Sequence, residues 1–194
     1  MKRTLLSVLA LPLIFSMVAI ASPAIQDNQP AGDANQKNLA RIYKEVRHEL
    51  VMLPYYGVFD NLSYKVDPDG TVTLLGQVAR PTLKSDAENV VKRIEGVTKV
   101  VNNIEVLPLS PNDDRIRRAV YRAIYTSSVL SPYQLRAVPP IHIIVKNGQV
   151  SLEGVVATEM DKNVAGIKAN GVSGVFGVTN NLVVEQASKD DKKK

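Results

Sequence analysis

The chain of 194 residues has no cysteine and no tryptophan, and it has only two histidines, His48 and His142. Without cysteine it cannot form disulfides, thiolate metal sites, a cysteine nucleophile or a lipid anchor on an N-terminal cysteine. Two isolated histidines are too few for a histidine-built metal centre. These absences weigh against an enzyme, and the sequence predicts no cofactor and no metal site.

The formal net charge of +5 comes mostly from the two ends of the chain. Lys2, Arg3 and the four lysines after residue 188 are six of the 24 basic residues, whereas Asp190 and Asp191 are only two of the 19 acidic ones. The rest of the chain is therefore close to neutral. Because nucleic-acid binding normally requires a basic folded body, we expect no nucleic-acid partner.

The N-terminus has the features of a secretory signal peptide. Lys2-Arg3 precedes an apolar run over residues 4–20, and Ala19-Ile20-Ala21 supplies the small-x-small pattern of a cleavage site. An uncleaved membrane anchor is the alternative, but the run is short for a span of ~20 residues and it contains Pro12. We therefore expect cleavage near Ala21 and a protein that is periplasmic or otherwise exported, soluble, and not a lipoprotein.

Two polar segments flank the remaining sequence. Residues 22–37 contain proline and glycine without an apolar period, which predicts a flexible lead-in. Residues 187–194 form a lysine-rich tail, for which the composition predicts the same.

An internal repeat organises everything between these ends. Segment 70–106 aligns without a gap on segment 148–184, and 14 of the 37 positions are identical. Three upstream positions align at an offset of 74 instead of 78, namely Ile42, Val46 and Leu50 with Ile116, Val120 and Ile124. The second copy therefore has four extra residues, around 137–142.

Each copy predicts the same order of elements. An apolar i, i+3, i+4, i+7 stripe indicates a first helix ending before Pro54, and an alternating pattern indicates strands over 58–66 and 71–79 joined by a tight turn with Gly70. A second helix opens at Pro81, and a last strand follows Gly96. The prediction is an α+β protein of two repeated small domains, 38–108 and 112–186. Each is helix-strand-strand-helix-strand, with two helices packed on a three-stranded mixed sheet.

The repeated motifs resemble those of the BON domain. In each copy G-x-V-x-L-x-G-x-V precedes a helix that is followed by G-V-x-x-V-x-N. The matching positions are Gly70, Val72, Leu74, Gly76, Val78, Gly96, Val97, Val100 and Asn102, and Gly148, Val150, Leu152, Gly154, Val156, Gly174, Val175, Val178 and Asn180. The arrangement behind an export signal is similar to that of osmotically inducible periplasmic BON proteins. The resemblance implies a non-catalytic envelope protein that contacts phospholipid membranes.

One helix face is a candidate for that contact. On a helical wheel over 113–126 the apolar residues gather on one side, whereas Arg115, Arg118 and Arg122 gather opposite, with Tyr121 and Tyr125 on the adjoining flank. Guanidinium groups pair with phosphate, and tyrosine suits the headgroup level of a bilayer. We therefore predict a lipid-binding face, although Asp113 and Asp114 could instead pair locally with the arginines.

The sequence thus predicts a non-enzymatic exported envelope protein that makes weak, reversible contact with anionic phospholipid, in envelope stress or integrity. The alternative is a periplasmic protein-binding or chaperone-like module acting through strand edges or the inter-domain groove, for which segment 55–59 is the best candidate. An unrecognised enzyme is the third possibility, but neither copy shows a cluster of polar groups with a catalytic spacing. The sequence leaves the oligomeric state and any envelope protein partner open.

Overall fold

The structure, a computed structural model, describes residues 31–136 and 138–185. The predicted signal peptide and the lysine-rich tail lie outside these residues. In the described part, no helix is both long and apolar enough to cross a bilayer.

The first domain contains α1 (Ala31–Val51), β1 (Asn61–Val66), β2 (Thr71–Val78), α2 (Pro81–Val91), β3 (Lys99–Asn102) and β4 (Glu105–Val106). The second contains α3 (Pro111–Tyr125), a short 3₁₀ helix (Ser131–Leu135), β5 (Ile141–Lys146), β6 (Gln149–Val156), α4 (Glu159–Asn170), β7 (Gly177–Asn180) and β8 (Val183–Val184). The helices and sheets of the two domains follow the same order, which confirms the predicted α+β repeat.

The prediction of a flexible lead-in over 22–37 is wrong for its last part, because α1 already begins at Ala31. The segment contains the helix formers Ala31, Ala34 and Lys37. Alanine and lysine are among the residues with the highest helix propensity. These local preferences extend the helix beyond the apolar stripe from which its start was predicted.

Each sheet is built around its second strand. β2 pairs antiparallel with β1 and parallel with both β3 and β4, and β6 pairs in the same way with β5, β7 and β8. The predicted third strand is therefore present as two short segments that follow each other along the same partner. Each sheet remains mixed, with β1 at one edge of the first sheet and β5 at one edge of the second.

One asparagine in each copy makes the same two hydrogen bonds, and these account for the break in the third strand. Asn102 Oδ1 accepts the backbone N–H of Ile104 at 3.2 Å, and its Nδ2 donates to the carbonyl of Lys84 at 2.8 Å. The second domain repeats both bonds with Asn180, Leu182 and Lys162. This side chain turns the strand and ties it to the second helix of its domain.

Gly76 and Gly154 hold equivalent positions where two backbones approach closely. Both have positive φ, 110° and 120°, which favours glycine. A Cβ atom at either site would collide with the carbonyl of Asn61 or of Pro140. These contacts explain why the repeat has glycine at both positions.

Two apolar cores lie between the helices and the sheets, one in each domain. Val46, Leu74 and Leu83 are fully buried in the first, and Val120, Ile143 and Leu152 in the second. Val58 and Phe59 belong to the first domain but pack against the core of the second. The two domains are therefore joined by an apolar contact in addition to the linker.

The segment before β1 forms this junction. The N–H of Ile143 donates to the carbonyl of Val58 at 2.8 Å, and the rings of Phe59 and Tyr121 meet edge to face with centroids 6.1 Å apart. The first strand was predicted from Val58, but it begins at Asn61 because Val58 and Phe59 turn towards the second domain. An exposed ion pair between Lys146 and Glu105 also links the two domains.

His142 lies at the same junction. Its ring stacks on Tyr56 with centroids 5.6 Å apart, and its Nδ1 lies 3.3 Å from the carbonyl oxygen of Gly57. Burial lowers the pKa of His142 below its ordinary value of 6.5, although the bond to Gly57 and the nearby carboxylates of Asp60 and Glu153 act in the opposite direction. The neutral imidazole is therefore the form that the folded protein favours.

We expect acidification to destabilise the protein through His142. Because its pKa is lower in the folded state, the unfolded chain takes up the proton first, and stability is lost as pH falls below 6.5. Burial raises the pKa of Asp60, so its titration has the opposite sign and offsets part of the loss. In urea unfolding, the free energy of unfolding of the native protein should be lower at pH 5.5 than at pH 7.5. This difference should be smaller in His142→Gln.

His48→Gln is the matched control, since His48 is exposed on α1. It should leave the difference between the two pH values unchanged. An equal loss of stability in the native protein and in His142→Gln would contradict the assignment.

Candidate functional site

Helix α3 is fixed by its first turn. Ser110 caps it by accepting the N–H of Asp113 at 3.2 Å, and Pro111 opens it with a suitable φ. The carboxylate of Asp113, which is 1% exposed, accepts the N–H groups of Asn147 and Gly148, both at 2.9 Å. Asp113 therefore anchors the helix to the β5–β6 hairpin and is not available to the arginines.

Asp114 is also engaged, because it forms an ion pair with Arg117. This is the one local acid–arginine pair of the helix, and it involves an arginine outside the predicted lipid-binding set. Among the described residues, no carboxylate forms an ion pair with Arg115, Arg118 or Arg122. The alternative of local neutralisation by Asp113 and Asp114 is therefore wrong for these three.

Arg117 and Tyr125 cover the outer edge of β5. Arg117 Nη2 donates to the carbonyl of Val145 at 2.8 Å, and the Tyr125 hydroxyl donates to the carbonyl of Ile141 at 2.7 Å. Eight residues of helix and four residues of strand both measure about 12–13 Å, so the two donors match the two acceptors. The helix thereby satisfies carbonyls that an edge strand would otherwise leave unpaired.

This placement corrects one predicted site residue. Tyr125 was expected on the lipid-binding flank, but it is 1% exposed and its hydroxyl is bonded inside the domain. Burial raises the pKa of Tyr125 strongly. The helical wheel placed Tyr125 by its angle around the helix axis alone. It could not show that the carbonyl of Ile141 at the edge of β5 needs a donor at this position.

The remaining predicted residues lie together on the outer side of α3. Arg115, Arg118 and Arg122 are exposed, and Tyr121 is half-buried beside them. Arg115 Nη2 donates to Asn112 Oδ1 at 3.0 Å, which orients it without neutralising it. The hydroxyl of Tyr121 accepts a hydrogen bond from Gln134 at 3.0 Å. The structure thus presents three positive charges next to an aromatic ring.

A cavity of about 460 Å³ opens next to two of these arginines. Its lining residues come from both domains: Val58, Phe59, Arg118, Tyr121, Arg122 and Pro139. Val58, Phe59 and Pro139 were not among the residues predicted for the arginine face. Two signals pointed to them, namely the apolar segment 55–59 and the four extra residues around 137–142.

A second and larger cavity, of about 750 Å³, runs along the junction of the domains. Asn61 to Tyr64 of the edge strand β1 form one side, and residues 154–157 contribute to the other. Of the segment proposed for protein contact, Tyr56 lines this groove, whereas Tyr55 is exposed with the guanidinium of Arg80 over its ring at 4.8 Å. Segment 55–59 thus contributes to the inter-domain groove of the protein-binding hypothesis through Tyr56.

Within residues 31–136 and 138–185, no group of three or more histidine and carboxylate side chains is arranged to hold a metal ion. The buried carboxylate of Asp60, which is 4% exposed, accepts the N–H of Ala79 at 2.8 Å. Its role in the fold is to tie the start of β1 to the end of β2.

A family model, the BON domain, matches residues 38–108 and 112–186. The chain belongs to the BON family. BON domains form a non-catalytic family associated with membrane and envelope proteins. The two helix-sheet units of the structure are therefore two BON domains, as the repeated motifs implied.

Two solved structures are similar to the chain, and both are of CdsD, a structural protein of the type III secretion system of Chlamydia trachomatis. The C-terminal domain of CdsD is 12% identical with a TM-score of 0.30, and the match covers 74% of this chain and 96% of that one. The other gives 12% identity, a TM-score of 0.31 and coverage of 76% and 93%. No curated protein sequence matches the chain.

Tyr125→Phe should separate the structural role of this hydroxyl from lipid contact. Loss of the donor leaves the buried carbonyl of Ile141 unpaired, which we expect to lower the unfolding free energy by about 1–2 kcal/mol. Tyr55→Phe is the matched control, because Tyr55 is 73% exposed and its hydroxyl forms no hydrogen bond among the described residues. Urea unfolding should show a change of less than about 0.5 kcal/mol for the control. Equal effects in the two variants would contradict the edge-covering role.

Proposed function

We propose that this protein is a non-catalytic module of the bacterial cell envelope that makes weak, reversible contact with anionic phospholipid membranes. The contact is made by Arg115, Arg118 and Arg122 of the second BON domain, with Tyr121 at the headgroup level. Export by the signal peptide delivers the protein to the periplasm, where it acts in envelope stress or integrity.

The observation that supports this proposal is the distribution of acids on α3. The helix contains two carboxylates, yet one is bonded to the β5–β6 hairpin and the other to Arg117. The three outward arginines therefore have no carboxylate partner among the described residues. At a surface of anionic lipid each contributes about 1 kcal/mol, so together they supply about 3 kcal/mol before ordering costs. That energy fits reversible contact and is too small for permanent anchoring.

The first domain provides an internal comparison. Arg41 corresponds to Arg115, but it forms an ion pair with Glu45 at 3.1 Å and donates to the carbonyl of Glu95. The positions corresponding to Arg118 and Arg122 are Lys44 and His48. The equivalent face of α1 thus has a weaker and partly neutralised charge, which is why the contact is assigned to the second domain.

Arg115/Arg118/Arg122→Gln should weaken binding to vesicles. Because three charges are lost, we expect binding to vesicles of phosphatidylglycerol and phosphatidylcholine to fall on the order of 100-fold. Binding by the native chain should also fade between low and high salt, and it should be absent on pure phosphatidylcholine. Co-flotation of residues 22–194 measures all three effects.

The control variant is Lys44/Lys65/Lys99→Gln, which removes the same charge from exposed sites of the first domain. It should bind nearly as well as the native chain. Equal loss in both triple variants would mean that only net charge matters, and flotation that survives Arg115/Arg118/Arg122→Gln would remove the face from the proposal.

The second candidate function is protein binding in the groove between the domains. β1 is an edge strand, and its residues 61–64 line the groove together with aromatic and apolar side chains. Such an edge can accept an extended segment of another protein as an added strand. If the folded protein binds no vesicle under any condition, this candidate becomes the better one, and Leu62→Pro at the edge should then abolish capture of the partner.

A further inference from the structure

We propose that the cavity beside Arg118 and Arg122 holds the alkyl chain of a single anionic amphiphile, with its headgroup on the two arginines. The ligand class is a linear hydrocarbon chain with a carboxylate or phosphate head, as in a fatty acid or a lysophospholipid. The inference rests on the proposed function for the role of the arginines, but it does not require a membrane surface.

The walls of the cavity are apolar. Val58, Phe59 and Pro139 contribute no side-chain polar group, and Tyr121 presents a ring whose hydroxyl is already bonded to Gln134. The volume of about 460 Å³ lies in the range of sites for small ligands. Apart from the two arginines, the lining offers no free side-chain polar group, which favours hydrocarbon over sugar, nucleotide or peptide, since those ligands would lose hydrogen bonds to water there.

The charge of the cavity lies at its arginines. Arg118 and Arg122 are exposed, have no acidic partner among the described residues, and are four residues apart on one helix face. One helical turn separates them by about 6 Å, so a single anionic head can contact both guanidinium groups. A cationic or neutral head would give these two guanidinium groups no negative partner.

The cavity exists only because the domains are packed together. Val58 and Phe59 come from the first domain, and the bond from Ile143 N–H to the Val58 carbonyl keeps them beside α3. Phe59 and Tyr121 then form adjacent walls through their edge-to-face contact. A membrane contact needs only the arginines, whereas an alkyl chain needs both domains.

The test is calorimetric titration of residues 22–194 with octanoate, decanoate and dodecanoate, each below its micelle concentration. Affinity should rise about fourfold for each CH₂ that enters the cavity, and it should level off once the cavity is full. Decyltrimethylammonium, which has a ten-carbon chain like decanoate but a cationic head, should not bind. Equal affinity for octanoate and dodecanoate, or binding of the cationic amphiphile, would overturn the proposal.

Val58→Trp should fill the cavity and weaken decanoate binding at least tenfold while Arg118 and Arg122 stay in place. Val183→Trp is the matched control, since Val183 is 62% exposed on β8 and does not line the cavity. Far-UV circular dichroism checks that both variants fold. The chain-length series on the native protein decides the question even if Val58→Trp does not fold.

The two proposals fail in different ways. Vesicle flotation without binding of monomeric decanoate would overturn the alkyl-chain site and leave the membrane contact standing. Binding of decanoate without flotation would support the site and remove the membrane contact. Lysophosphatidylglycerol, titrated in the same way, distinguishes a phosphate head from a carboxylate, and its binding in the cavity should also be lost in Val58→Trp.

Discussion

The outer edge of β5 is the constraint on which the second domain and its junction with the first depend. An edge strand presents backbone groups that must find partners, and three of them do so outside the sheet. The carbonyls of Ile141 and Val145 accept from Tyr125 and Arg117, and the N–H of Ile143 donates to Val58. These bonds set the rotation of α3, because only one face of a helix can follow the strand. The arginines that remain on the other side are those that can meet an external anion.

The two copies show how one frame carries different surfaces. Tyr43 and Arg117 occupy equivalent positions, and each bonds the carbonyl near the end of its edge strand, at Val66 or Val145. A hydroxyl and a guanidinium thus perform the same structural task at the same place. The difference lies on the outward face, where the first helix has an intrahelical ion pair and the second has three arginines without an acidic partner among the described residues. The fold tolerates this exchange because exposed helix positions contribute little to stability.

The fold could be predicted from the sequence because the repeat compares the chain with itself. Glycines and apolar positions that recur at a fixed offset mark turns and cores, and these are local consequences of backbone geometry. The site could be predicted only in part. Helical periodicity separates an apolar face from a charged one, but Arg117 and Tyr125 lie at the border between the faces, and their direction depends on carbonyls 16 to 28 residues away in the sequence. The sequence marked separate parts of the cavity lining but could not bring them together, because they belong to two domains.

The junction between the domains therefore has a consequence beyond stability. The outward arginines belong to the second domain. The apolar wall beside them forms only when Val58 and Phe59 of the first domain pack against the core of the second. The near-neutral body of the chain makes this local pairing more important, since there is no general positive potential to attract an anionic surface from any direction. Recognition must then come from the arrangement of a few groups. The two arginines are available to a headgroup whether or not the first domain is packed beside them. A hydrocarbon chain can be buried there only when the two domains are packed together. In the proposed alkyl-chain site the two BON domains act as one unit, with the second supplying the charge and the first completing the apolar wall.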